Sequence, residues 1–348
     1  MIINAKITGI KYSPLLCETL LNYDESDFEN ALNTKSIFLY TIHNKTVAVS
    51  KWVSPKRTRS YPGARVYNTL NHSGKKITII PFVKDEGIDG DRDFIQWDTI
   101  SLMSLLGVYV IIAYYSGANK NKKYQNKITD QKFDAQFIHA EIEKLLSYQS
   151  DALHWNIEQI NNITVPANLA KQHYAKIQIE TGVMMNPVSG IDKRIEVILQ
   201  GKNKFMNLSR SLSKAAQKRE TQTIQPKEKI SDGTKAQINI TNYLGGTYYL
   251  TCDEAEIKGN NIHIIEAKHT KGGKLPSDDD IKEGFIKMML FTNLKDVSVD
   301  GIKLNPVPVL KLTSGDKKFS QNNAALQDVI AEAKTNRFKL ILPDGNMI

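Results

Sequence analysis

The sequence predicts an α/β protein, and three observations in its C-terminal half predict it. Strand-like runs over 237–244, 247–257 and 261–269 follow one another with only short polar breaks between them. A capped, amphipathic helix pattern comes next, followed by a strand, a helix and a strand. A basic, helix-compatible stretch precedes all of these. The order over roughly residues 192–342 is therefore α-β-β-β-α-β with an appendix.

Taken in order, 38–42 and 76–83 are short β-rich runs bounded by polar residues. Residues 97–106 suit a helix, with Ile100, Met103 and Leu106 recurring at intervals of three. Gly107 interrupts that pattern, and 108–115 is a continuous apolar run of the kind found in buried strands. A polar, basic loop is expected over 119–127, a helix over 134–147 and a connection over 161–167. These elements define an N-terminal α/β region over 1–160 and a C-terminal region over 161–348. The latter includes a basic helical segment at 192–220. Beyond the three strands, Ser277 caps a helix whose first turn carries Asp278, Asp279 and Asp280, suited to the positive end of its dipole. Ile281, Phe285, Met288 and Met289 line its apolar face. Residues 307–312 read as a strand, 324–334 as a helix and 337–342 as a last strand.

The 348 residues are 41% hydrophobic and 24% charged, as in a soluble globular protein, and carry a formal net charge of +9. Such a charge favours polyanionic partners. Much of it is local, since eleven Lys/Arg face four Asp/Glu between Lys193 and Lys235. Cys17 and Cys252 are the only cysteines, which suits a reducing cytoplasm better than a disulfide framework. The N-terminus lacks the apolar core of a signal peptide, and the longest apolar run, 102–115, is too short to span a bilayer. A cytoplasmic protein with no membrane partner is expected. No Gly-x-x-x-x-Gly-Lys-Ser/Thr loop occurs, so no nucleotide cofactor is expected.

Chemistry concentrates in the hairpin sequence from Gly246 to Lys268. The pattern acid-x-Lys is weak alone: it recurs at Asp130–Lys132, Glu256–Lys258, Asp280–Lys282, Asp316–Lys318 and Glu332–Lys334. Context separates these occurrences. Glu332 and Lys334 lie in a helix pattern, where i and i+2 face different ways. Only Glu266 and Lys268 end an apolar strand, where i and i+2 share a face. The turn at 258–261 folds Asp253 back towards them. Two carboxylates and a lysine at one end of a sheet can hold Mg²⁺, orient a water and stabilise charge on a phosphate. Asp253, Glu266 and the carbonyl of small Ala267 are the candidate metal ligands. Alternation places Glu254 and Glu256 on the other face from Asp253, and the strand register leaves open which of the three faces the metal.

At these residues the chain resembles the PD-(D/E)XK nuclease superfamily: Asp253, twelve intervening residues, then Glu266-Ala267-Lys268. Cys252 stands where that motif has proline. The resemblance implies a restriction-endonuclease-like core, a mixed sheet flanked by helices, with Asp253, Glu266 and Lys268 as catalytic residues and Mg²⁺ as cofactor. In length and architecture the chain is most similar to a type II restriction endonuclease. That implies site-specific cleavage of double-stranded DNA by a homodimer. A repair or exonucleolytic enzyme on the same core, or a nucleic-acid-binding protein with a dead site, are the rival expectations.

The N-terminal region would then serve DNA recognition or dimerisation. Trp52 to Lys84 contains no acid, and Lys51, Lys56, Arg57, Arg59 and Arg65 are interleaved with Trp52, Tyr61 and Tyr67. Lys56, Arg57, Arg59 and Arg65, with Arg210 and Lys214 on the basic helix, are the candidate DNA contacts. Lys120, Lys122, Lys123 and Lys127 form a lesser basic loop. The acidic run at 85–98 reads as a structural loop in which Arg92 is paired and Asp98 caps a helix, since calcium-loop spacing fails. Among the histidines, His269 alone adjoins the candidate site.

Overall fold

A computed structural model describes residues 1–53, 60–200, 205, 234–243, 247–271, 275–315 and 324–348. The chain divides into two compact units, one formed by Met1–Glu18 with Ser209–Ile348 and the other by Thr19–Leu208. The boundary expected at 160/161 is corrected accordingly. Residues 161–208 belong with the N-terminal region, and the first eighteen residues join the C-terminal one. The physical reason is β1 (Ile2–Ile7), whose alternating buried Ile3, Ala5 and Ile7 fit the core face of a sheet made by the far end of the chain.

In the Thr19–Leu208 unit, β2 (Asn22–Tyr23), β3 (Ile37–Ile42), β4 (Lys45–Lys51), β5 (Lys76–Pro81) and β8 (Val108–Ala113) form one sheet in that order. His43 and Asn44, both at positive φ, make the two-residue turn between antiparallel β3 and β4. β4, β5 and β8 run parallel, and most of their residues are buried on both faces. Two hairpins, β6 (Val83–Asp85) with β7 (Arg92–Phe94) and β9 (Tyr115–Lys120) with β10 (Ile128–Phe133), complete the strands. The helices are α1 (Phe28–Thr34), α2 (Ser60–Tyr67), α3 (Trp97–Leu105), α4 (Ala135–Ser147), α5 (Ala152–Asn161), α6 (Thr164–Thr181) and α7 (Ser189–Leu199). Asp134 and Asp151 cap α4 and α5 through their side chains. Phe28, Phe38, Tyr40, Val49, Ile79 and Ile142 belong to the shared core.

Three local expectations change. The loop over 119–127 is the end of a β-hairpin, because 115–120 and 128–133 pair across it. The connection over 161–167 shrinks to Asn162 and Ile163, since α6 begins at Thr164 with Pro166 in its first turn, where a missing N–H costs nothing. The helix expected over 192–220 is observed as Ser189–Leu199, and beyond Gln200 all of it except Phe205 lies outside the described residues.

In the other unit the strands are β11 (Thr234–Asn242), β12 (Thr247–Lys258), β13 (Asn261–Thr270), β14 (Lys295–Val299), β15 (Ile302–Lys303), β16 (Asn305–Ser314) and β17 (Lys339–Ile341). The helices are α8 (Asp278–Phe291) and α9 (Ala324–Asn336). Together with β1 they build an eight-stranded mixed sheet of order β15-β14-β1-β11-β12-β13-β16-β17. β11, β12 and β13 form an antiparallel meander. α8 then carries the chain across, and β16 returns parallel to β13. Ser277 caps α8 by accepting the Asp280 N–H, and Ile281, Phe285, Met288 and Met289 are buried as their spacing predicts. The β14–β15 hairpin is an addition with no counterpart in the expected order.

Residues 11–15 run as a strap without regular structure. Asn293 accepts the Lys11 N–H and donates to its carbonyl, while Asn336 does the same for Ser13. Fully buried Glu332 accepts the Leu15 N–H at 2.6 Å. Its acid-x-Lys tripeptide is thus a structural anchor. Glu332→Ala is expected to lower stability by about 1–3 kcal/mol, the cost of stranding a donor. Exposed Lys334→Ala should leave the denaturation midpoint where it was. Equal urea midpoints for the two variants would refute the anchor. No helix among the described residues is long and apolar enough to cross a membrane.

Candidate active site

The site lies where the sheet forks. The β12–β13 ladder runs from Lys258–Asn261 to Glu254–Ile265 and ends there. Beyond that point β12 continues alongside β11, while β13 continues alongside β16. Asp253 and Glu266 stand at the parting of the two strands. β12 also bulges here: Thr234 and Ala236 of β11 oppose Ala255 and Cys252, so β12 spends three steps against two. A bulge resets the in-out alternation and re-aims a side chain. The consequence is visible in the burial of Cys252, Glu254 and Ala255 around a half-buried Asp253.

The three acids of β12 have different partners. Asp253 Oδ2 accepts the Ala267 N–H at 2.7 Å, which ties it to the Glu266–Lys268 strand. Glu254 instead lies 3.2 Å from Lys311, and Glu256 pairs with Lys258 at 2.8 Å beside the turn. Ala267 enters the site through its amide as well as its small size.

Glu266 is buried, with 2% of its surface exposed. Its Oε1 is 3.1 Å from Lys268 Nζ and its Oε2 is 2.7 Å from Lys287 Nζ. Lys268 also bonds to the carboxylate of Glu283. Lys287 donates, in addition, to the Thr251 carbonyl at 3.4 Å. The three expected residues are therefore brought together, and α8 adds two that sequence reasoning missed. Their only local signal was the i, i+4 spacing of Glu283 and Lys287, which puts both on one helix face but does not say what that face meets. Gly284 explains how α8 comes so close: a Cβ there would lie 2.9 Å from Leu310 Cδ1 and 3.4 Å from Lys268 Cε. Gly284→Ala, though favourable for helix propensity, sets its Cβ against Leu310 and should push α8, with Glu283, away from Lys268, reducing cleavage of the kind the resemblance implies about ten- to a hundredfold. A wild-type rate in that variant would mean that α8 does not set the lysine's position.

Electrostatics follow from burial. Burial raises the Glu266 carboxyl to about 7; Lys287 and Lys268 oppose the rise, and Asp253 and Glu283 reinforce it. Burial pulls Lys268 down, but Glu266 and Glu283 outweigh it and hold the ammonium above its ordinary range. Lys287 is held up in the same way by Glu266, Glu283 and Asp253 against its burial. Burial, with the Glu266 charge next, pushes the Cys252 thiol up to about 12, so Cys252 is a packed thiol and no nucleophile.

Other candidates fall elsewhere. His269 is exposed and bonds to Thr313 Oγ1 at 3.0 Å. The acid-free stretch is mostly architecture, since Lys51, Trp52 and Tyr67 are buried. Arg65 donates to the Lys51 carbonyl at 3.1 Å, and burial together with the Arg65 charge lowers Lys51 to about 8. The expectation of an exposed basic and aromatic surface is corrected at Lys51, Trp52 and Tyr67. Lys56, Arg57, Arg59, Arg210 and Lys214 lie outside the described residues. The acidic run is structural: Asp85 pairs with Arg92 at 3.2 Å across the β6–β7 hairpin and accepts from the Gly87 N–H and from Asn186, which lies between α6 and α7. Asp98 is buried in the first turn of α3, whose N-cap is Gln96, so Asp98 is not the cap.

Among the described residues no group of three or more His, Cys, Asp or Glu side chains forms a metal-binding cluster. Asp253 and Glu266 are a two-carboxylate set of hard oxygen donors. That suits a cation which keeps most of its waters, as Mg²⁺ does. No protein-family model matches the sequence, and no curated protein or solved structure matches it either.

Proposed function

We propose that this chain is a Mg²⁺-dependent endodeoxyribonuclease that cuts double-stranded DNA at specific sites, as a type II restriction enzyme does. The observation that carries the reading is the meeting of Asp253, Glu266 and Lys268 at the fork of the sheet. The antiparallel meander, helical crossover and parallel return in β11 to β16 agree with the strand order of the PD-(D/E)XK core.

In this reading Asp253 and Glu266, with the Ala267 carbonyl, would hold Mg²⁺, which would supply acidification of a water and polarisation of the scissile phosphate. Lys268, gripped by Glu266 and Glu283, keeps its proton and orients the attacking water or stabilises charge on the phosphate oxygens. Burial of Glu266 makes these interactions stronger than they would be in water. A homodimer belongs to the proposal because a two-fold symmetric site asks for two symmetric cutting centres.

Incubation of the full chain with plasmid DNA and Mg²⁺ tests the reading. Discrete fragments support a restriction enzyme, whereas a smear or end-trimming assigns the core to a nonspecific or exonucleolytic enzyme. Binding without cleavage would leave only the DNA-binding role. Binding measured in Ca²⁺ should also fall steeply with salt. A protein with a formal charge of +9 that neutralises six or more phosphates loses about 10³-fold in affinity between roughly 50 and 200 mM salt. A flat salt response would remove DNA from the proposal.

A further inference from the structure

Lys287 is the least expected member of the site. It is a cation on α8, one turn beyond Glu283, with 18% of its side chain exposed, and it pairs with the Glu266 oxygen that Lys268 does not hold. A free Lys side chain has every reason to reach water. Here its ammonium is instead fixed at 2.7 Å from Glu266 Oε2 and backed by the Thr251 carbonyl. The negative charges acting on it are Glu266, Glu283 and Asp253, the set that a metal cation in this site would face.

We propose that Lys287 is a resident counter-cation that occupies the place of a second metal, so that this site takes one divalent ion per chain. The proposal rests on the nuclease reading and specifies its metal requirement. Two-metal nucleases set their ions about 3.5–4 Å apart and need carboxylates that serve both. In this site each oxygen of Glu266 already has a cationic partner, and the two partners differ. Lys268, on Oε1, has a second anchor in Glu283 and can yield that oxygen without becoming an unpaired buried charge. Lys287, on Oε2, has beside it only the weak Thr251 carbonyl contact, so leaving that oxygen would cost it its one close carboxylate partner among the described residues. Oε1 of Glu266, whose lysine has a second carboxylate anchor, is therefore the oxygen more readily yielded to a metal.

Charge points the same way. Asp253, Glu266 and Glu283 against Lys268 and Lys287 leave one net negative charge when all are ionised. One divalent ion turns that into a single positive charge, matched to one phosphodiester. A second would leave three positive charges in a buried site.

Mn²⁺ titration of the full chain, followed by electron paramagnetic resonance, tests this directly. Wild type should bind one ion per chain with no spin-coupled pair, and Asp253→Asn should lose it. Lys287→Arg keeps the charge and should still bind one. Lys287→Met keeps the apolar stem and should bind two, with the coupled signal of neighbouring ions. Two coupled ions in wild type would overturn the proposal, as would a single ion in a folded Lys287→Met protein. If Lys287→Met does not fold by circular dichroism, the wild-type and Lys287→Arg stoichiometries decide, one ion supporting the proposal and two refuting it. Plasmid cleavage is scored in parallel. Cleavage with two ions removes this inference alone, while neither binding nor cleavage removes the nuclease reading with it.

Discussion

Glu266→Gln is expected to abolish plasmid cleavage, reducing the rate by about 10³-fold or more while the protein stays folded. Glutamine is isosteric but neutral, so the metal loses an anionic ligand worth several kcal/mol of transition-state stabilisation, at about 1.4 kcal/mol per tenfold. Asp253→Asn should do the same. Lys268→Ala should also stop turnover, by about 10²- to 10³-fold, through loss of a charge-stabilising donor and not of the metal. Mn²⁺ binding separates the cases: it should vanish in the two acid variants and survive in Lys268→Ala. Glu256→Ala is the matched control, because its acid-x-Lys pair sits by the hairpin turn and touches nothing in the site. Normal cleavage by Glu266→Gln would show that the fork is not the reaction centre.

The second large effect is one of pH. Because burial holds the Glu266 carboxyl near 7, and a ligand must be ionised, metal affinity should climb about tenfold per pH unit from pH 5 to 7 and level off above. Without metal, the stability linkage has the opposite slope to that of an ordinary salt-bridged acid. Between the ordinary carboxylate range and about pH 7, the folded protein holds a proton on Glu266 that the unfolded chain has released. The stabilisation linked to it is complete below the ordinary carboxylate range and is lost as pH rises through about 7. Lys268 and Lys287 are held above their ordinary range and keep their protons throughout this window, so neither contributes to the slope. Calorimetric Mn²⁺ affinities at pH 5, 6, 7 and 8 decide the matter, with Glu266→Gln thermal melts as the stability reference. A flat affinity below pH 7 would mean that Glu266 is ionised throughout or is no ligand.

Much of the candidate site was legible because it is local. Glu266 and Lys268 share a face by the two-residue period of a strand, and a four-residue turn returns Asp253 to them. The α8 cap and its apolar stripe follow equally from spacing within one element. The burial of Lys51, Trp52 and Tyr67 was not legible, since a run without acids reads the same whether it lines a surface or a core.

What the sequence by itself determined was the identity and spacing of the hairpin residues and the mixed α/β order around them, because periodicity and capping are properties of single elements. Which residues meet was decided only by the tertiary structure. Asp253, and neither Glu254 nor Glu256, bonds to the Glu266–Lys268 strand beside a bulge in β12 that depends on how Thr234 and Ala236 pair with that strand. Glu283 and Lys287 reach the site because Gly284 lets α8 settle against Leu310 and Lys268. The first strand of the chain joins the sheet by pairing with β11, more than two hundred residues further on. Pairings of that kind are set by burial and hydrogen bonding across the whole unit, and no window of sequence contains both partners.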